Sequence, residues 1–578
     1  MQFVVLVALS TLFCAATALG ELVPRLVPRS QPFTLPIHSS HSLQRRDVIG
    51  ANGQQGKGWS SVSASKDRLS HYTIVQFGEI HLRVALDTAS SDLWVVSTGC
   101  RSPQCAQVPR YPLAYKSPTF LPVNDNATTF TARYADGSTA SGYVAKETIK
   151  IANLTIPEET FGLVTSSNVT FTDQVSGIFG LGFPRISSIL KATNSTPFFT
   201  TLAYKGLLDY PLFALSLTKN LTGSLTIGKF SPFTTFRQIS WNRVATFPPF
   251  VNAVNETTAT YLQWAIPLPS FSINGTSLTP NPTYPDIGGG RSLALIDVGA
   301  SGITGPVQDV SRIFSQIEGA RIVDTDAGQW VVPCDTIVPM TFTFGTTTYT
   351  LLPEDYIIGP AAGNPNLCLS WPRASPPSTD GIDWQLGAPF LNTVYSIFSF
   401  GINTKEPPMI GFYPLRNATE VANLVQNQTP QSLSSYLSSV SATVATTLPN
   451  VILATPTYTT PPYTLNSTIT AAVGAVVSTG LATSTYSTIF GTLTPYNTTA
   501  LPSITPEPSV VTSVITDPAG QVTTSVFTKT DSNVSLGLPP GWTNAGVGLR
   551  GSLTDVFSWP VSVLLLCTLL VSWTDVFL

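Results

Sequence analysis

Short apolar runs, separated by clusters of Gly, Pro, Asn and Asp, recur along the chain from about residue 47 to 415. The runs are rich in Val, Ile, Thr, Phe and Tyr, a composition typical of β-strands bounded by turns. Clear examples are His71–Phe77, Ile80–Leu86, Gly223–Gly228 and Thr341–Thr350. Helical patterns are few and short, as in Pro197–Lys205 and Val307–Ile317. The pattern predicts a mainly β, mostly antiparallel protein.

Two stretches in different halves of this region share one pattern. Val84–Ser97 reads VALDTASSDLWVVS and Leu293–Pro306 reads LALIDVGASGITGP. Each has an apolar lead-in, an Asp, a turn of small residues and a Ser at the fourth position after the Asp. Each is followed later by a Gly-containing apolar run, GIFGLGF at Gly177–Phe183 and WQLGAPF at Trp384–Phe390. No solenoid period of 20–50 residues is present, so the pattern predicts a duplicated β lobe.

The two aspartates of these loops, Asp87 and Asp297, carry the candidate chemistry. A turn between two strands would explain one such Asp, but not two in duplicated loops. An ionised carboxylate in apolar surroundings is unfavourable unless hydrogen bonds or a shared proton relieve it. If pseudo-twofold symmetry brings the pair together, one carboxyl keeps a proton while the other is an anion. Such a pair can activate a water and polarise a carbonyl, which predicts amide hydrolysis with no metal and no cofactor.

Composition and the remaining motifs exclude several other functions. A net charge of −3 and 11% charged residues provide no basic face for nucleic acid. Outside the two chain ends only His71 and His81 could serve a Ser-His-Asp triad, and neither a Gly-x-Ser-x-Gly nor a His-Glu-x-x-His motif occurs. A glycosidase would also use two carboxylates. That alternative does not explain why both occur in duplicated Asp-turn-Ser loops.

The double Asp loop resembles that of the pepsin-like aspartic peptidases (family A1), particularly the secreted fungal ones. The resemblance spans roughly Tyr72 to Leu415. It implies a bilobed fold with an N-lobe of about 65–240, a C-lobe of about 241–415 and the active site in the cleft between them. It also implies that Asp87 and Asp297 are the catalytic pair, that the substrate is a polypeptide bound in the cleft, and that the pH optimum is acidic to mildly acidic.

Further roles follow from the same resemblance by position. Ser90 would hydrogen-bond the first carboxylate, and Trp94 would support the active-site wall. Tyr134 matches the tyrosine of a flap hairpin that closes over substrate, and the Ala-Asp-Gly-Ser after it suits a hairpin turn. Asp136 in this turn resembles the flap aspartate of fungal members that accept lysine before the scissile bond. The complete set comprises the support residues Thr88, Ser90, Trp94, Val298, Gly299 and Ser301, and the flap residues Tyr134, Asp136, Gly137 and Ser138.

The chain also departs from the family's Asp-Thr/Ser-Gly pattern. Val298 has the shape of the usual threonine without its hydroxyl, so half of a hydrogen-bonded brace between the loops is expected to be lost. Ala89 replaces a glycine, which matters only if its φ is positive. Ala300 stands where many relatives have a Thr that hydrogen-bonds to the second carboxylate. The absence of that threonine donor predicts a less acidic pH optimum. The alternative to a peptidase is a catalytically inactive pepsin-like peptide-binding or cell-wall protein, although both aspartates are kept.

Six cysteines are present, of which Cys14 and Cys567 lie in the two apolar ends. The other four, Cys100, Cys105, Cys334 and Cys368, allow three pairings. The spacing favours a small ring between the first two and a longer one between the last two. A zinc site is the alternative, but no histidine lies near them in the sequence. The family resemblance implies the same two disulfides, Cys100–Cys105 and Cys334–Cys368.

The N-terminal region has features of processing. Residues 1–20 read as a secretory signal peptide cut after Ala18 or Gly20, with a buried helix as the alternative. Residues 21–46 contain four prolines and end at the dibasic Arg45-Arg46. They are interpreted as a short pro-segment, the alternative being an ordinary flexible terminus. The peptidase domain would then occupy 47–415.

The composition shifts to Thr, Ser, Pro, Ala and Val from 416 to 544, which predicts a disordered, glycosylated stalk. Residues 545–578 combine a spacer with an apolar run and no basic residue after it, so a GPI-attachment signal with Asn544 as the anchored residue is favoured over a transmembrane helix. These features predict a monomer at the cell surface, held to the plasma membrane by a GPI lipid, with transfer to the cell wall as the alternative final location. Twelve glycosylation sequons support passage through the secretory pathway. They begin at Asn126, Asn153, Asn168, Asn194, Asn220, Asn255, Asn274, Asn417, Asn427, Asn466, Asn497 and Asn533.

Overall fold

The computed structural model of the chain describes residues 58–64, 70–115, 117–171, 173–217, 222–229, 239–247, 261–362, 364–402, 406–439, 444–463, 510–516 and 522–528. All belong to one compact unit, Ile37–Leu578. The signal peptide, the pro-segment with its dibasic site, the GPI signal and Asn544 lie outside these residues. So do the sequons at Asn220, Asn255, Asn466, Asn497 and Asn533.

Strands dominate the described residues, as the sequence pattern predicts. Those up to residue 243 are β1 (Gly58–Ala64), β2 (His71–Phe77), β3 (Ile80–Asp87), β4 (Leu93–Val96), β5 (Leu121–Pro122), β6 (Thr129–Arg133), β7 (Thr139–Ile151), β8 (Leu154–Ser167), β9 (Val175–Gly180), β10 (Leu212–Leu217), β11 (Thr222–Ile227) and β12 (Ser240–Arg243). Those that follow are β13 (Ala265–Pro267), β14 (Ser270–Ile273), β15 (Thr276–Leu278), β16 (Leu293–Ile296), β17 (Ile303–Pro306), β18 (Arg321–Asp324), β19 (Gln329–Pro333), β20 (Met340–Phe344), β21 (Thr347–Leu351), β22 (Ile357–Ala362), β23 (Asn364–Ser370), β24 (Arg373–Ser375), β25 (Trp384–Leu386), β26 (Val394–Ser399), β27 (Met409–Pro414), β28 (Val444–Thr447), β29 (Val510–Thr516) and β30 (Val522–Thr528).

The helices are short. They are α1 (Pro103–Ala106), α2 (Ser188–Thr193), α3 (Phe198–Tyr204), α4 (Val307–Phe314), α5 (Pro353–Tyr356), α6 (Ala388–Leu391), α7 (Ala418–Asn427) and α8 (Pro430–Ser439), with 3₁₀ turns at Asn124–Asn126 and Pro184–Ile186. The two predicted helical stretches correspond to α3 and α4. The predicted strand at 341–350 is instead a hairpin, β20 and β21, because the chain turns at Gly345 with φ +59°.

The two halves repeat one strand arrangement, which confirms the predicted duplication. In the first half, β3 is parallel to β9, and β9 is antiparallel to β4. In the second half, β16 is parallel to β25, and β25 is antiparallel to β17. The fold is therefore the predicted mainly β, bilobed arrangement, with each Asp loop at the same place in its lobe.

A sheet with strands from both halves joins the lobes. Its order begins β12-β27-β26-β10-β11-β1 and continues into the N-lobe as β2-β3-β9-β4-β8-β7-β5, with β6 paired to β7. The junction is the antiparallel pair β10 and β26, in which Phe213 lies opposite Phe398 with their rings stacked at 4.8 Å. The C-lobe adds the sheets β13-β16-β25-β17-β24, β15-β14-β20-β21 and β18-β19-β23-β22-β28. This shared apolar layer sets the position of one Asp loop against the other.

Both predicted disulfides are present in the structure. Cys100 is bonded to Cys105 and Cys334 to Cys368, at sequence separations of 5 and 34 residues. The first closes the loop that contains α1, and the second joins the loop after β19 to β23. The pairing by sequence proximity is therefore confirmed.

The ordered chain continues beyond Leu415, so the prediction of disorder from residue 416 is wrong for its first part. Helices α7 and α8 follow at once, and Leu433 and Leu437 of α8 are buried in the core. Strand β28 extends a C-lobe sheet by pairing in parallel with β22. The composition is poor in large apolar residues, but a few well-placed leucines and tyrosines are enough when a folded lobe already provides the partner surface.

A tyrosine pair is one of the contacts between the C-lobe and the residues after β28. Tyr284 donates a hydrogen bond to the Pro461 carbonyl at 2.9 Å, and its ring lies edge-on to Tyr463 at 5.5 Å. We expect Tyr284→Phe to lower the free energy of unfolding by about 1 kcal/mol, because one partly buried hydrogen bond is lost. Urea denaturation of the purified protein measures this. An unchanged free energy would show that the contact does not stabilise the fold.

The sequon asparagines within the described residues are all exposed. They are Asn126, Asn153, Asn168, Asn194, Asn274, Asn417 and Asn427. Exposure is what attachment of a glycan requires, and it is compatible with the predicted glycosylation. Among the described residues no helix is long and apolar enough to cross a bilayer.

Candidate active site

The fold brings the two predicted aspartates together. Asp87 is the last residue of β3 and Asp297 directly follows β16, at equivalent ends of the two repeated strands. Their side chains are buried, with 7% and 3% of the residue exposed, and both carboxyl groups face one point, since a Cβ at Gly299 would lie 2.7 Å from Asp87 Oδ1 and 3.2 Å from Asp297 Oδ1. The sequence predicts that these two residues meet because the loops are repeated and resemble those of a known family, and the structure contains the symmetry that this prediction requires.

Each carboxylate accepts a matching pair of hydrogen bonds. Asp87 Oδ1 accepts from the Ala89 N–H at 2.9 Å and Oδ2 accepts from Ser90 Oγ at 2.5 Å. Asp297 Oδ1 accepts from the Gly299 N–H at 2.8 Å and Oδ2 accepts from the Gln385 side-chain amide at 2.7 Å. Donors on both oxygens fix the carboxyl planes and make ionisation tolerable in a buried site.

One buried hydroxyl connects the two loops. Thr88 Oγ1 donates to the Ile296 carbonyl at 2.9 Å and accepts from the Val298 N–H at 3.0 Å. The same oxygen lies 3.4 Å from Asp297 Oδ1. Val298 is buried at 1% exposure and has no hydroxyl to return. The hydrogen-bonded brace between the loops is therefore made by Thr88 of the N-lobe. The half that a hydroxyl at residue 298 would supply is missing, as predicted.

The two loops differ at the residue after the threonine position, which is Ala89 in the first and Gly299 in the second. A Cβ at Gly299 would lie 2.7 Å from Asp87 Oδ1, so this loop needs glycine for the carboxylates to approach. Ala89 is not among the residues with positive φ, so its Cβ introduces no backbone strain there. The replacement of glycine by Ala89 is therefore compatible with the site.

Burial governs the protonation of the pair. Desolvation raises the pKa of Asp87, although the Ser90 hydroxyl and the Ala89 N–H oppose that effect. Desolvation, and then the charge of Asp87, raises the pKa of Asp297 to about 7. The pair consequently holds one shared proton up to near-neutral pH.

The predicted flap is a hairpin of β6 and β7. Its turn is closed by hydrogen bonds from the Tyr134 N–H to the Ser138 carbonyl and from the Gly137 N–H to the Tyr134 carbonyl, both 3.0 Å, with Gly137 at φ +81°. Asp136 is exposed and accepts from the Ser138 N–H at 2.8 Å. Trp94 Nε1 donates to the Tyr134 hydroxyl at 2.7 Å, which ties the flap to the strand after the first Asp loop. Burial and the charge of Asp87 raise the pKa of Tyr134, so its hydroxyl is neutral.

The serines at the fourth position after each Asp occupy different environments. Ser91 is buried and donates to the Phe183 carbonyl at 2.5 Å. This hydrogen bond anchors the first Asp loop to the segment that follows β9. Ser301, which the sequence analysis assigned a supporting role, lies half-buried in the turn before β17. Among the hydrogen bonds of the described residues, neither serine bonds to Asp87 or Asp297.

Sequence reasoning missed Gln385. The segment that contains it, WQLGAPF, was recognised as the second copy of a repeated apolar run, but no role was given to the glutamine. Alternation along β25 was the available signal, because Trp384 and Leu386 are fully buried on one face and Gln385 must point to the other. The expectation that Ala300 leaves the second carboxylate without a side-chain donor is wrong, since Gln385 supplies one.

Within the described part of the chain, no group of His, Cys, Asp and Glu side chains is arranged to hold a metal ion. The four cysteines that a zinc site would have used are in disulfides. The chemistry available from the side chains at this site is proton transfer between two carboxyl groups.

Comparisons with known proteins agree with this geometry. A family model described as eukaryotic aspartyl protease matches residues 71–406. Similar proteins include major aspartyl peptidase 1 of Cryptococcus neoformans, 28% identical over 66% of this chain and 77% of that protein. Cathepsin E-B of Xenopus laevis is 30% identical over 61% of this chain and 84% of its own length, and cathepsin D of Gallus gallus is 30% identical over 54% and 74%.

Proposed function

This chain belongs to the eukaryotic aspartyl protease family, whose members are aspartic endopeptidases, and from that premise we propose that Asp87 and Asp297 hydrolyse peptide bonds through a shared water. The observation that carries the proposal is the placement of two buried carboxyl groups beside the same glycine, at equivalent strand ends, each with donors on both oxygens.

The proposed reaction begins with a water held between the carboxyl groups. Asp87, the anion, takes a proton from the water as its oxygen attacks the scissile carbonyl carbon, and Asp297 gives its proton to the carbonyl oxygen. In the second step the C–N bond breaks, the leaving nitrogen takes the proton from Asp87, and one hydroxyl of the tetrahedral intermediate returns a proton to Asp297. The pair is then back in its starting state, with one proton.

The flap accounts for substrate binding in this proposal. An extended peptide would lie in the cleft between the lobes and under the β6–β7 hairpin, with Tyr134 positioned over it by Trp94. The exposed Asp136 at the turn supplies a negative charge at the flap tip. That charge supports the suggestion that a lysine before the scissile bond is accepted.

We extend the proposal to maturation and location. The protein would enter the secretory pathway through residues 1–20, lose 21–46 at Arg45-Arg46, and act as a monomer at the cell surface through a GPI lipid at Asn544. The exposed sequons and the two disulfides support a secreted environment. The stalk would begin later than the sequence alone indicates, since Pro461 and Tyr463 still contact the C-lobe.

The test uses the full chain secreted from a eukaryotic host and a denatured protein substrate between pH 3 and 8, with and without pepstatin. We expect pepstatin-sensitive cleavage with an acidic to mildly acidic optimum, falling as pH rises through about 7, where Asp297 loses its proton. The sign follows from the mechanism, because the deprotonated pair has no acid to polarise the carbonyl.

The absence of pepstatin-sensitive cleavage at every pH would contradict the proposal. It would instead favour an inactive peptide-binding or cell-wall protein, to which the departures at Ala89 and Val298 first pointed. Cleavage that continues undiminished above pH 8 would contradict the assignment of Asp297 as the acid.

A further inference from the structure

We propose that Gln385 is a positioning residue of the catalytic pair. Its side-chain amide, which is carried on a β-strand, has the role that the hydroxyl of Ser90, which is carried on a loop, has in the other lobe. The inference rests on the proposed function, and it concerns the polar contact that sets the acidity of Asp297.

The two lobes use different residues to donate a hydrogen bond to the Oδ2 atom of their aspartate. In the N-lobe, Ser90 is the third residue after Asp87 and donates to the outer oxygen Oδ2. In the C-lobe the third residue after Asp297 is Ala300, which has no donor. There the Oδ2 atom accepts instead from Gln385 Nε2 at 2.7 Å.

The strand register shows that Gln385 and Ile178 occupy equivalent places. Ile178 of β9 lies opposite Ala85, two residues before Asp87. Gln385 of β25 lies opposite Leu295, two residues before Asp297. The strand that carries a buried isoleucine in one lobe thus carries a glutamine in the other, and the loop that carries a serine in one lobe carries an alanine in the other.

An amide and a hydroxyl act differently on a carboxyl group. A hydroxyl can donate to the anion or accept from the acid, whereas the NH₂ of a glutamine only donates. Gln385 Nε2 therefore favours the ionised form of Asp297 and holds its pKa below the value that burial beside Asp87 would produce. Among the described residues, the titratable groups that interact with this pair are the two carboxyls themselves and the neutral Tyr134, which interacts electrostatically with Asp87.

The consequence is an acid that remains strong enough to transfer its proton near neutral pH. Without the amide, Asp297 would hold its proton more tightly and give it to the carbonyl oxygen less readily. The strand position also matters, because β25 lies between β16 and β17 in the sheet and is hydrogen-bonded on both sides. The donor is thereby placed by a rigid element and not by the loop that carries the carboxylate.

The experiment compares Gln385→Met, which keeps the length of the side chain and removes its donors, with the wild type. We expect kcat to fall about 10-fold, and the alkaline limb of kcat/KM against pH to move upward by about 0.5–1 pH unit for a half-exposed, charge-assisted hydrogen bond. The double variant Gln385→Met/Ala300→Ser places a hydroxyl at the position equivalent to Ser90, and should return the limb towards the wild-type pH. Ile178→Leu, a packing change at the equivalent strand position, should leave the limb where it is.

A second readout does not depend on turnover. Calorimetric titration with pepstatin across the same pH range should show the same upward shift of the alkaline limb in Gln385→Met. A variant that loses activity or melts earlier with no shift of the limb in either measurement would overturn the inference, since a structural residue does not change the acidity of Asp297. A wild type that binds pepstatin without cleaving substrate would contradict the proposed function alone, while loss of both would contradict both.

Discussion

Replacing either aspartate of the pair by asparagine is expected to lower kcat by about 10³-fold or more, because the reaction then lacks either its base or its acid. The fold should persist in Asp87→Asn and Asp297→Asn, since the amide has the shape of the carboxyl and can hydrogen-bond to its partner. Peptide hydrolysis measured at several pH values, with circular dichroism on the same samples, checks both statements.

The matched control is Asp92→Asn, which changes another buried aspartate, five residues after Asp87 at the end of the same loop. Asp92 accepts hydrogen bonds from the Ser187 hydroxyl and the Ser188 N–H at the start of α2, and it does not contact the pair. We expect it to reduce stability modestly and to keep most of the activity. Residual activity above a few per cent in both Asp87→Asn and Asp297→Asn would reject the catalytic pair.

The same variants also test the electrostatics. The folded state raises the pKa of Asp297 above its ordinary value, so its contribution to stability is complete at low pH and is lost as pH rises through about 7. Asp297→Asn removes that titration. Its free energy of unfolding, relative to the wild type, should therefore rise between pH 4 and pH 8, and an unchanged difference would contradict the burial of an ionisable pair.

Thr88→Val is expected to have the second largest effect, because one hydroxyl makes the brace between the loops. The change leaves the Ile296 carbonyl and the Val298 N–H without their partner in a buried site. Unsatisfied buried groups cost about 1–3 kcal/mol each, so we expect the free energy of unfolding to fall by about 2–4 kcal/mol. We also expect kcat to fall about 10-fold, because the carboxyl planes lose their alignment.

Two companion variants make this prediction specific. Thr88→Val/Val298→Thr moves the hydroxyl to the equivalent position in the other loop and should recover part of both losses. Thr393→Val removes a single buried hydrogen bond, to the Phe390 carbonyl at 2.7 Å, and should reduce stability without changing kcat. Equal effects of Thr88→Val and Thr393→Val on kcat would show that the brace has no role in aligning the pair.

Much of the fold was readable from local pattern. Alternating apolar residues predicted strands such as β2 and β20, and the repeated Asp-turn-Ser loops predicted the duplication that sets β3 against β9 and β16 against β25. The disulfides followed from spacing and resemblance. These features are encoded over a few neighbouring residues, where side-chain alternation and turn chemistry act directly.

The structure of the residues that follow Leu415 could not be read in this way. The composition after residue 415 resembles that of a disordered stalk, yet α8 packs against the C-lobe core and β28 pairs with β22. Arg416, at the boundary, makes two hydrogen bonds to buried Asp355, at 2.7 and 2.9 Å. Whether a weakly apolar segment orders depends on the surface that a distant part of the chain offers it, and composition contains no information about that surface.

The amino-acid order alone determined that this chain has two aspartates in repeated loops, and it determined the strands that carry them. Only the tertiary structure decided that Gln385 completes the second carboxylate where Ala300 cannot, and that Thr88 braces both loops. A hydrogen bond between side chains far apart in sequence depends on the relative position of two packed strands to within a few tenths of an ångström. That position is set by the whole core, so no short stretch of sequence specifies it.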